Sequence, residues 1–379
     1  MKTQLRLLSL AAIIATAGAT ASAAPLHQFE DGSIHFIGQL GLVHDDNILR
    51  TSILKEDDVR LEFAPGLEFK ISPDAAASTT FSYLYRWVIW EENGHLDDEF
   101  SEFDFKTSYD SGVVLANAYA SYKEGYSTSY EIDDTSDIFG VLVLRDVTKF
   151  GGSAKKDISE LSAIKVGLDY ADTEYKNTNF TGHTSMTVPV TYFYNVRPNV
   201  DMTAGVRYRH TDTDTDVEYN DWYAFVGAVG ELFSPVIYAD VNVGYQRRNA
   251  KNSNADASSP SYKLSLIYTG NAKANYYATI SRDYRTSSQS ARAYAYTTAS
   301  LGANYSLSNS FGLNAAVLLG ESEYEESIRQ EDILMFRLGA SYNPNDFVSF
   351  RASYSYRDVD GNVANYKSNE LRVFASLRY

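Results

Sequence analysis

A period of two, sustained over long runs, constrains this chain more than any other feature. From Asp58 to Ile71, one set of alternate positions holds Val59, Leu61, Phe63, Pro65, Leu67, Phe69 and Ile71. The other set holds Arg60, Glu62, Ala64, Glu68 and Lys70. Side chains of an extended strand point alternately to opposite faces, so this is a strand with one apolar and one polar face. Strands of soluble proteins usually run about five or six residues, whereas a tilted membrane-crossing strand needs about nine to eleven. The chain's last stretch repeats the pattern: Leu371, Val373, Ala375, Leu377 and Tyr379 stand against Glu370, Arg372, Phe374, Ser376 and Arg378. A soluble sandwich would bury such an apolar face against a second sheet. A transmembrane barrel turns it to lipid and turns the charged face to a wet lumen.

The alternation recurs along the whole chain. Ser33 to His44 places Ile34, Phe36, Leu40 and Leu42 together, and Thr80 to Trp90 rises through Phe81, Tyr83, Tyr85, Trp87 and Ile89. Short breaks rich in turn residues fall at Ser72-Pro73-Asp74-Ala75, Asp110-Ser111-Gly112, Val196-Arg197-Pro198-Asn199, Phe233-Ser234-Pro235, Gly270-Asn271, Ser308-Asn309-Ser310 and Asn343-Pro344-Asn345-Asp346. Between them lie longer polar breaks, including Asp45 to Asp57, Glu91 to Asp98, Asp172 to Gly182, Thr211 to Asn220, Arg248 to Ser259, Arg285 to Arg292, Glu321 to Gln330 and Asp358 to Tyr366. Alternating short and long connections predict an all-β, transmembrane, antiparallel up-and-down β-barrel. Its short turns face the periplasm and its longer loops face outward. The runs number roughly eighteen, an even count that returns both termini to one side. Sixteen is the alternative, because Ile138 to Phe150 is apolar on both faces and Gly151 to Asp157 is long for a periplasmic turn. A β-helix would show turns of similar length, and a propeller a blade motif near forty residues; neither pattern is present. Pro65 predicts a bulge or a weakened ladder within its strand.

The start of the chain sets the compartment. Lys2 and Arg6 precede an apolar stretch from Leu7 to Ala19, and Ala21-Ser22-Ala23 is a small-residue cleavage site. This is the layout of a secretory signal peptide over residues 1–23. Residues 24–32 are expected to be a short periplasmic tail, and residues 33–379 the barrel. Cysteine is absent, which excludes disulfides and thiolate chemistry. No apolar run after the signal is long enough for a membrane helix. The mean hydropathy of −0.30 looks soluble, but half of every barrel strand is polar and the average cancels. Thirty Tyr and nineteen Phe suit interfacial girdles.

One segment carries a resemblance. His44-Asp45-Asp46-Asn47-Ile48-Leu49-Arg50, followed by Asp57-Asp58-Val59 and Ala64-Pro65-Gly66-Leu67, resembles the opening of a family of outer-membrane β-barrel porins. Many members of that family accompany exopolysaccharide or capsule synthesis genes. The resemblance implies an outer-membrane barrel of a Gram-negative bacterium and, more loosely, a part in polysaccharide export. It brings no catalytic or ligand residues with it.

The residues themselves supply no enzyme. His210-Thr211-Asp212 and His44-Asp45-Asp46 place histidine beside carboxylate, but six histidines among acidic loops produce such neighbours by chance. Asp212, Asp214 and Asp216 alternate and could share a Ca²⁺ from one side of an extended segment; they lack the glycine and closing glutamate of an EF-hand, and a solvated acidic loop is the better reading. No cofactor, resident metal or nucleic-acid partner is expected. The expected partners are outer-membrane lipid with lipopolysaccharide, the barrel assembly machinery and an anionic polysaccharide. The terminal aromatic Tyr379 looks like the signal read by that machinery.

The chain has a formal charge of −16, near −18 once Lys2 and Arg6 are gone. A cation-preferring pore would be the default. Yet Arg337, Arg351, Arg357, Arg372 and Arg378 share the polar parity of the final strands, and barrel closure adds Arg60 and Lys70. These seven predict a basic strip on one lumen wall, partly offset by Glu62, Glu68 and Glu370. Three functions are compatible with the chain: a passive porin-like pore, a structural or adhesive barrel with a closed lumen, and a rim hydrolase.

Overall fold

A computed structural model describes residues 25–73, 75–126, 140–177, 179–252, 256–287, 293–324, 328–363 and 365–379. The expected signal peptide lies outside them, as does the start of the doubtful Ile138 run. Residues 25–31, expected as a tail, include a short strand, β1 (His27–Phe29), which folds back on the next. The long strands that follow are β2 (Gly32–Asp45), β3 (Asp58–Ile71), β4 (Ala77–Trp90), β5 (Asp98–Asp110), β6 (Val114–Tyr126), β7 (Leu144–Ser159), β8 (Ser162–Tyr175), β9 (His183–Arg197) and β10 (Val200–Thr213). They continue as β11 (Glu218–Ser234), β12 (Ile237–Lys251), β13 (Ala257–Asn271), β14 (Ala274–Thr286), β15 (Ala293–Ser306), β16 (Phe311–Tyr324), β17 (Gln330–Tyr342), β18 (Val348–Gly361) and β19 (Asn365–Arg378). Each pairs antiparallel with its sequence neighbours, and β19 pairs antiparallel with β2. The sheet therefore closes into an eighteen-strand up-and-down barrel.

The closure has a physical cause. A hydrocarbon bilayer offers no partner to a peptide N–H or C=O, so a sheet that spans it cannot keep an edge. The last strand reaches its very end: Phe36 and Tyr379 exchange both backbone hydrogen bonds, at 2.7 and 2.8 Å. At the seam, Gly41 stands opposite Phe374. A Cβ on Gly41 would come within 2.2 Å of the Phe374 ring, so only glycine lets that ring lie flat across the closing pair.

Register decides which side chains face lipid. On β3 the exposed residues include Phe63 and Leu67, whereas Arg60, Glu62 and Ala64 are buried inward. Aromatic pairs decorate the outer surface in two belts. Tyr85–Trp87 and Tyr208–Trp222 lie toward the long loops, with centroids 4.8 and 4.6 Å apart. Tyr268–Tyr276 and Tyr342–Phe350 lie toward the short turns. This is the girdle geometry expected where aromatic rings meet two lipid–water interfaces. Pro65 interrupts the ladder as expected: β3 and β4 pair up to Phe63–Trp87 and resume at Gly66–Leu84 in the same register. The outcome is a gap in pairing rather than a bulge.

Two expectations need correction. Gly151 to Asp157 is no turn; it lies within β7, and the turn falls after Ser159. This removes the sixteen-strand alternative. Several long polar breaks also shorten, because strands run on into them. β10 extends through Thr213 and β11 starts at Glu218, leaving Asp214–Val217 as the connection where Thr211 to Asn220 was expected to be loop. Polar residues on both faces of such strand ends fit a barrel wall that projects beyond the membrane into water.

The faces of β18 make a direct test. Ala352 is exposed on the outer surface and Ser353 is half-buried inward. Ala352→Arg should destabilise the refolded barrel by roughly 2–4 kcal/mol if it lies at the midplane, and Ser353→Arg should be tolerated. Urea unfolding in lipid vesicles measures both; equal tolerance would place the register one residue out.

Candidate functional site: the lumen and its constriction

All seven residues of the expected basic strip face the lumen. Arg337, Arg351, Arg357, Arg372 and Arg378 occupy inward positions of β17, β18 and β19, and Arg60 and Lys70 inward positions of β3. Their electrostatic setting differs from a bare strip. Arg60 donates to Glu62 at 2.7 Å and lies 3.8 Å from Glu370. Glu370 also takes Arg372 at 2.6 Å. At the short-turn end, Arg378 holds Glu68 at 2.7 Å, with Lys70 at 3.7 Å from the same carboxylate. Arg351 is exposed in the lumen and has no carboxylate partner among the described residues. It lines a polar recess of about 840 Å³ at the short-turn mouth, together with Gln39, Glu68, Ser349, Ser376 and Arg378.

The pairs are part of a longer wall network. Glu62 accepts Arg86 at 2.6 Å, and Arg86 reaches Glu102 at 2.7 Å. Glu62, Arg86, Glu370 and Arg372 are all buried. Buried ion pairs of this kind add little net stability, since desolvation offsets the attraction, but removing one partner typically costs about 3–5 kcal/mol. Their effect is to lock the inner wall of β2 to β5 and β19 in one arrangement.

The first long loop, residues 46–57, closes over this network. Each residue of the opening motif has a local task. Asp45 pairs with Arg50 at 2.8 Å. Asp46 accepts the backbone N–H and the side-chain amide of Asn369, both at 2.6 Å, which ties the loop to β19. Asn47 donates to the carbonyls of Thr51 and Lys367, each at 2.8 Å. Arg50 adopts a left-handed backbone (φ 55°) and donates to the Asn47 carbonyl at 2.7 Å. This tight knot turns Ile48 inward, where it is 1% exposed against Val88, Trp90, Phe100 and Tyr126. From the opposite side, Gly140 donates its N–H to the Leu49 carbonyl at 2.7 Å. Below the plug, a small cavity of about 40 Å³ remains, lined by Arg60, Arg86, Lys123, Glu62 and Glu102. A second apolar cluster, with Tyr294, Tyr296, Tyr324, Ile333, Met335, Val359 and Tyr366 on inward positions of β15 to β19, lines the facing wall near the same end.

The carboxylates near the long loops are less free than their number suggests. Asp58 accepts from Glu92 N, Asn93 N and Asn93 Nδ2 at 3.0–3.2 Å, and Asp97 accepts Trp90 N at 2.7 Å. The candidate histidine dyads do not form. His44 and Asp45 point to opposite faces of β2, and His210 faces outward, 3.0 Å from Asn220. The Asp212, Asp214 and Asp216 row is broken by the turn: Asp216 has φ 61° and Asp214 accepts the Gly182 N–H. Among the described residues no group of three histidine or carboxylate side chains could hold a metal ion.

Sequence reading missed Arg86, Arg207, Arg209 and Arg248, which face the lumen on β4, β10 and β12. Parity was the available signal. Arg86 alternates with Tyr83, Tyr85 and Trp87, and Arg207 and Arg209 flank the outward Tyr208. Their long-range partners, such as Asp283 for Arg207 at 2.8 Å, were not readable from spacing.

Residues 220–379 match the family described as "Putative beta-barrel porin 2". The match covers the C-terminal strands β11 to β19, which are similar to that porin family. The match falls at the opposite end of the chain from the opening motif that first suggested it. No curated protein matches the chain. Among solved structures, OccK2 (OpdF) of Pseudomonas aeruginosa, crystallised in complex with glucuronate, is 11% identical and superposes with a TM-score of 0.52, covering 92% of this chain and 98% of that one. OccK3 (OpdO) of the same organism gives 11%, 0.51, 91% and 95%. The apoprotein form of the FrpB iron transporter of Neisseria meningitidis gives 11%, 0.50, 88% and 62%. This chain thus spans less than two thirds of the FrpB transporters it matches. The shared feature is the fold, that of an outer-membrane barrel.

The loop knot is testable. Asp45→Ala removes the carboxylate that pairs with the buried Arg50 guanidinium and should destabilise the barrel by about 3–5 kcal/mol. It should also release residues 46–57 to limited proteolysis in the refolded protein. An unchanged digestion pattern would show that the pair does not hold the loop.

Proposed function

We propose that this porin-like barrel is a passive, non-catalytic outer-membrane pore whose lumen favours anionic solutes, with an acidic polysaccharide as the cargo. The observation that carries the reading is the segregation of charge. The chain is strongly acidic, yet Glu99, Asp146, Asp172, Glu174, Asp212, Glu218, Glu321, Glu323 and Asp358 lie on outward positions near the long loops. Inward positions hold Arg60, Lys70, Arg86, Lys123, Arg145, Lys149, Lys165, Arg207, Arg209, Arg248, Arg285, Arg337, Arg351, Arg357, Arg372 and Arg378, and with them the carboxylates Glu62, Glu68, Glu102, Asp104, Asp169, Asp201, Asp221, Asp240, Asp283, Glu331 and Glu370, so both signs face the lumen and cations are the more numerous. A low-dielectric wall focuses the field of such groups along the path of a permeating ion, and guanidinium forks suit carboxylate. Export of polysaccharide rests on the family resemblance alone, as does the orientation of the short turns toward the periplasm.

One observation favours a second reading. Ile48 and its aromatic partners fill the long-loop end of the lumen, as a closed structural barrel would require. Planar-bilayer recording separates the two: a closed barrel shows no conductance. In a KCl gradient, the pore should be anion-selective. Arg351→Gln should reduce the reversal potential most, because that side chain is exposed and unpaired by carboxylate. Arg372→Gln should act less, since Glu370 already offsets it. Cation selectivity that survives both substitutions would overturn the proposal.

A further inference from the structure

The short-turn mouth of the lumen carries an arrangement that ion selectivity alone does not need. Where β18, β19 and β2 meet at the seam, inward cross-strand rows follow one another toward the turns. One row is Arg351, Phe374 and Gly41; the next is Ser349, Ser376 and Gln39; Arg378 and Ile37 stand in the row beyond. Successive rows lie about 7 Å apart, two residues along a strand. The middle row carries only uncharged polar side chains. It forms the floor of the recess of about 840 Å³, with Arg351 on one side and Arg378 on the other.

The polar groups of this floor are uncommitted. Among the described residues, the side chains of Ser349, Ser376 and Arg351 make no hydrogen bond and no ion pair. Gln39 accepts one long contact from Arg86, at 3.5 Å, and its own amide N–H groups have no acceptor among the described residues. The acids of the recess are placed differently. Glu68 is engaged by Arg378 at 2.7 Å and by Lys70 at 3.7 Å, and Asp346 stands exposed on the turn at the rim. Arg351 is thus an exposed guanidinium fork beside hydroxyl and amide groups that the wall leaves unmet. In its own row, the Phe374 ring covers Gly41 and is half-buried, which turns its other face to the lumen.

We propose that this recess is a subsite for one uronate unit of an acidic polysaccharide. The Arg351 fork matches the carboxylate. One row away, Ser349, Ser376 and Gln39 offer donors and acceptors to ring hydroxyls, which are both donor and acceptor themselves. The negative face of the Phe374 ring suits the C–H groups of a sugar. A simple anion would use Arg351 and leave the polar row unmet; a neutral sugar would leave Arg351 unmet. The subsite deepens the anionic-pore reading and rests on it, because that reading supplies the sugar acid that reaches this mouth.

The test is equilibrium binding, which is independent of ion flow. The refolded full-length barrel in detergent is titrated calorimetrically with sodium galacturonate, and separately with galactose and with sodium acetate, at about 50 mM salt so that screening does not mask the charge. Saturable heat is expected with galacturonate alone. Arg351→Gln should weaken binding by about tenfold, the loss of one charge-assisted contact. Ser376→Ala should weaken it by about threefold, the loss of a neutral one. Lys165→Gln removes the same charge from an inward position of β8, away from the seam, and should weaken it much less. Heat-modifiable migration on gels confirms that each variant is folded. Equal losses from Arg351→Gln and Lys165→Gln would assign the binding to the general field of the lumen and overturn the subsite, as would equal affinities for galacturonate and acetate. An anion-selective barrel without saturable binding would remove the subsite and leave the pore; saturable galacturonate binding without conductance would leave the subsite and remove the pore.

Discussion

The ladder between β19 and β2 is the interaction on which the rest depends. Until it forms, both strands keep edges that lipid cannot satisfy. It also assembles the lumen, because its partners are functional neighbours as well as structural ones. Glu370 stands beside Asp45, Arg372 beside Val43 and Phe374 beside Gly41. Closure delivers Glu370 and Arg372 to Arg60 on β3, and delivers Asn369 to Asp46 at the root of the first loop. A single register slip here would open the barrel wall, send Arg372 to lipid and unpin the loop that narrows the lumen.

Inside the wall, charge is arranged in two ways. Around the seam, carboxylates alternate with guanidinium groups from Arg50 and Asp45 to Arg86 and Glu102, and little charge is left over. Around β10 to β14, the inward guanidinium groups of Arg207, Arg209, Arg248 and Arg285 stand among the inward carboxylates of Asp201, Asp221, Asp240 and Asp283. Such pairs contribute little net stability once desolvation is set against attraction. Their consequence is geometric. The Arg209–Asp283 contact joins β10 to β14, strands that are not neighbours in the sheet. The two sides of the lumen thus differ in reach: pairs between adjacent strands at the seam, and a pair that spans several strands on the far wall.

Much of this was legible in the sequence. The period of two survives in every membrane-crossing strand because lipid tolerates no polar side chain and the lumen tolerates many. That rule gave the strand count, the lipid-facing residues of β3 and β18, and the inward parity of Arg351 and Arg372. It failed where one face stops being lipid. Gly151, Gly152, Ser153, Lys155 and Lys156 look like a turn because β7 there carries small or charged residues on both faces near the short-turn mouth. Thr211 and Asp212 look like loop because β10 has left the membrane. The opening motif was visible as a pattern, but its purpose depends on contacts between Ile48 and Phe100, or Asp46 and Asn369, that no local spacing encodes.

Under the proposed anionic pore, net charge is a poor guide to the field in the lumen, and the reason lies in where each acid is spent. Asp46, Asp58 and Asp97 accept backbone hydrogen bonds that hold loops in place, so part of their charge is engaged locally. Asp172, Asp212 and Glu321 stand on the outer surface of the projecting wall, with protein between them and the lumen. Screening in water reduces their reach to about one Debye length. The inward guanidinium groups work at shorter range against a low-dielectric wall, where the same charge has more effect. An acidic protein can therefore present a basic path, and the proposal makes Arg351, which no carboxylate among the described residues answers, the substitution that matters most for selectivity.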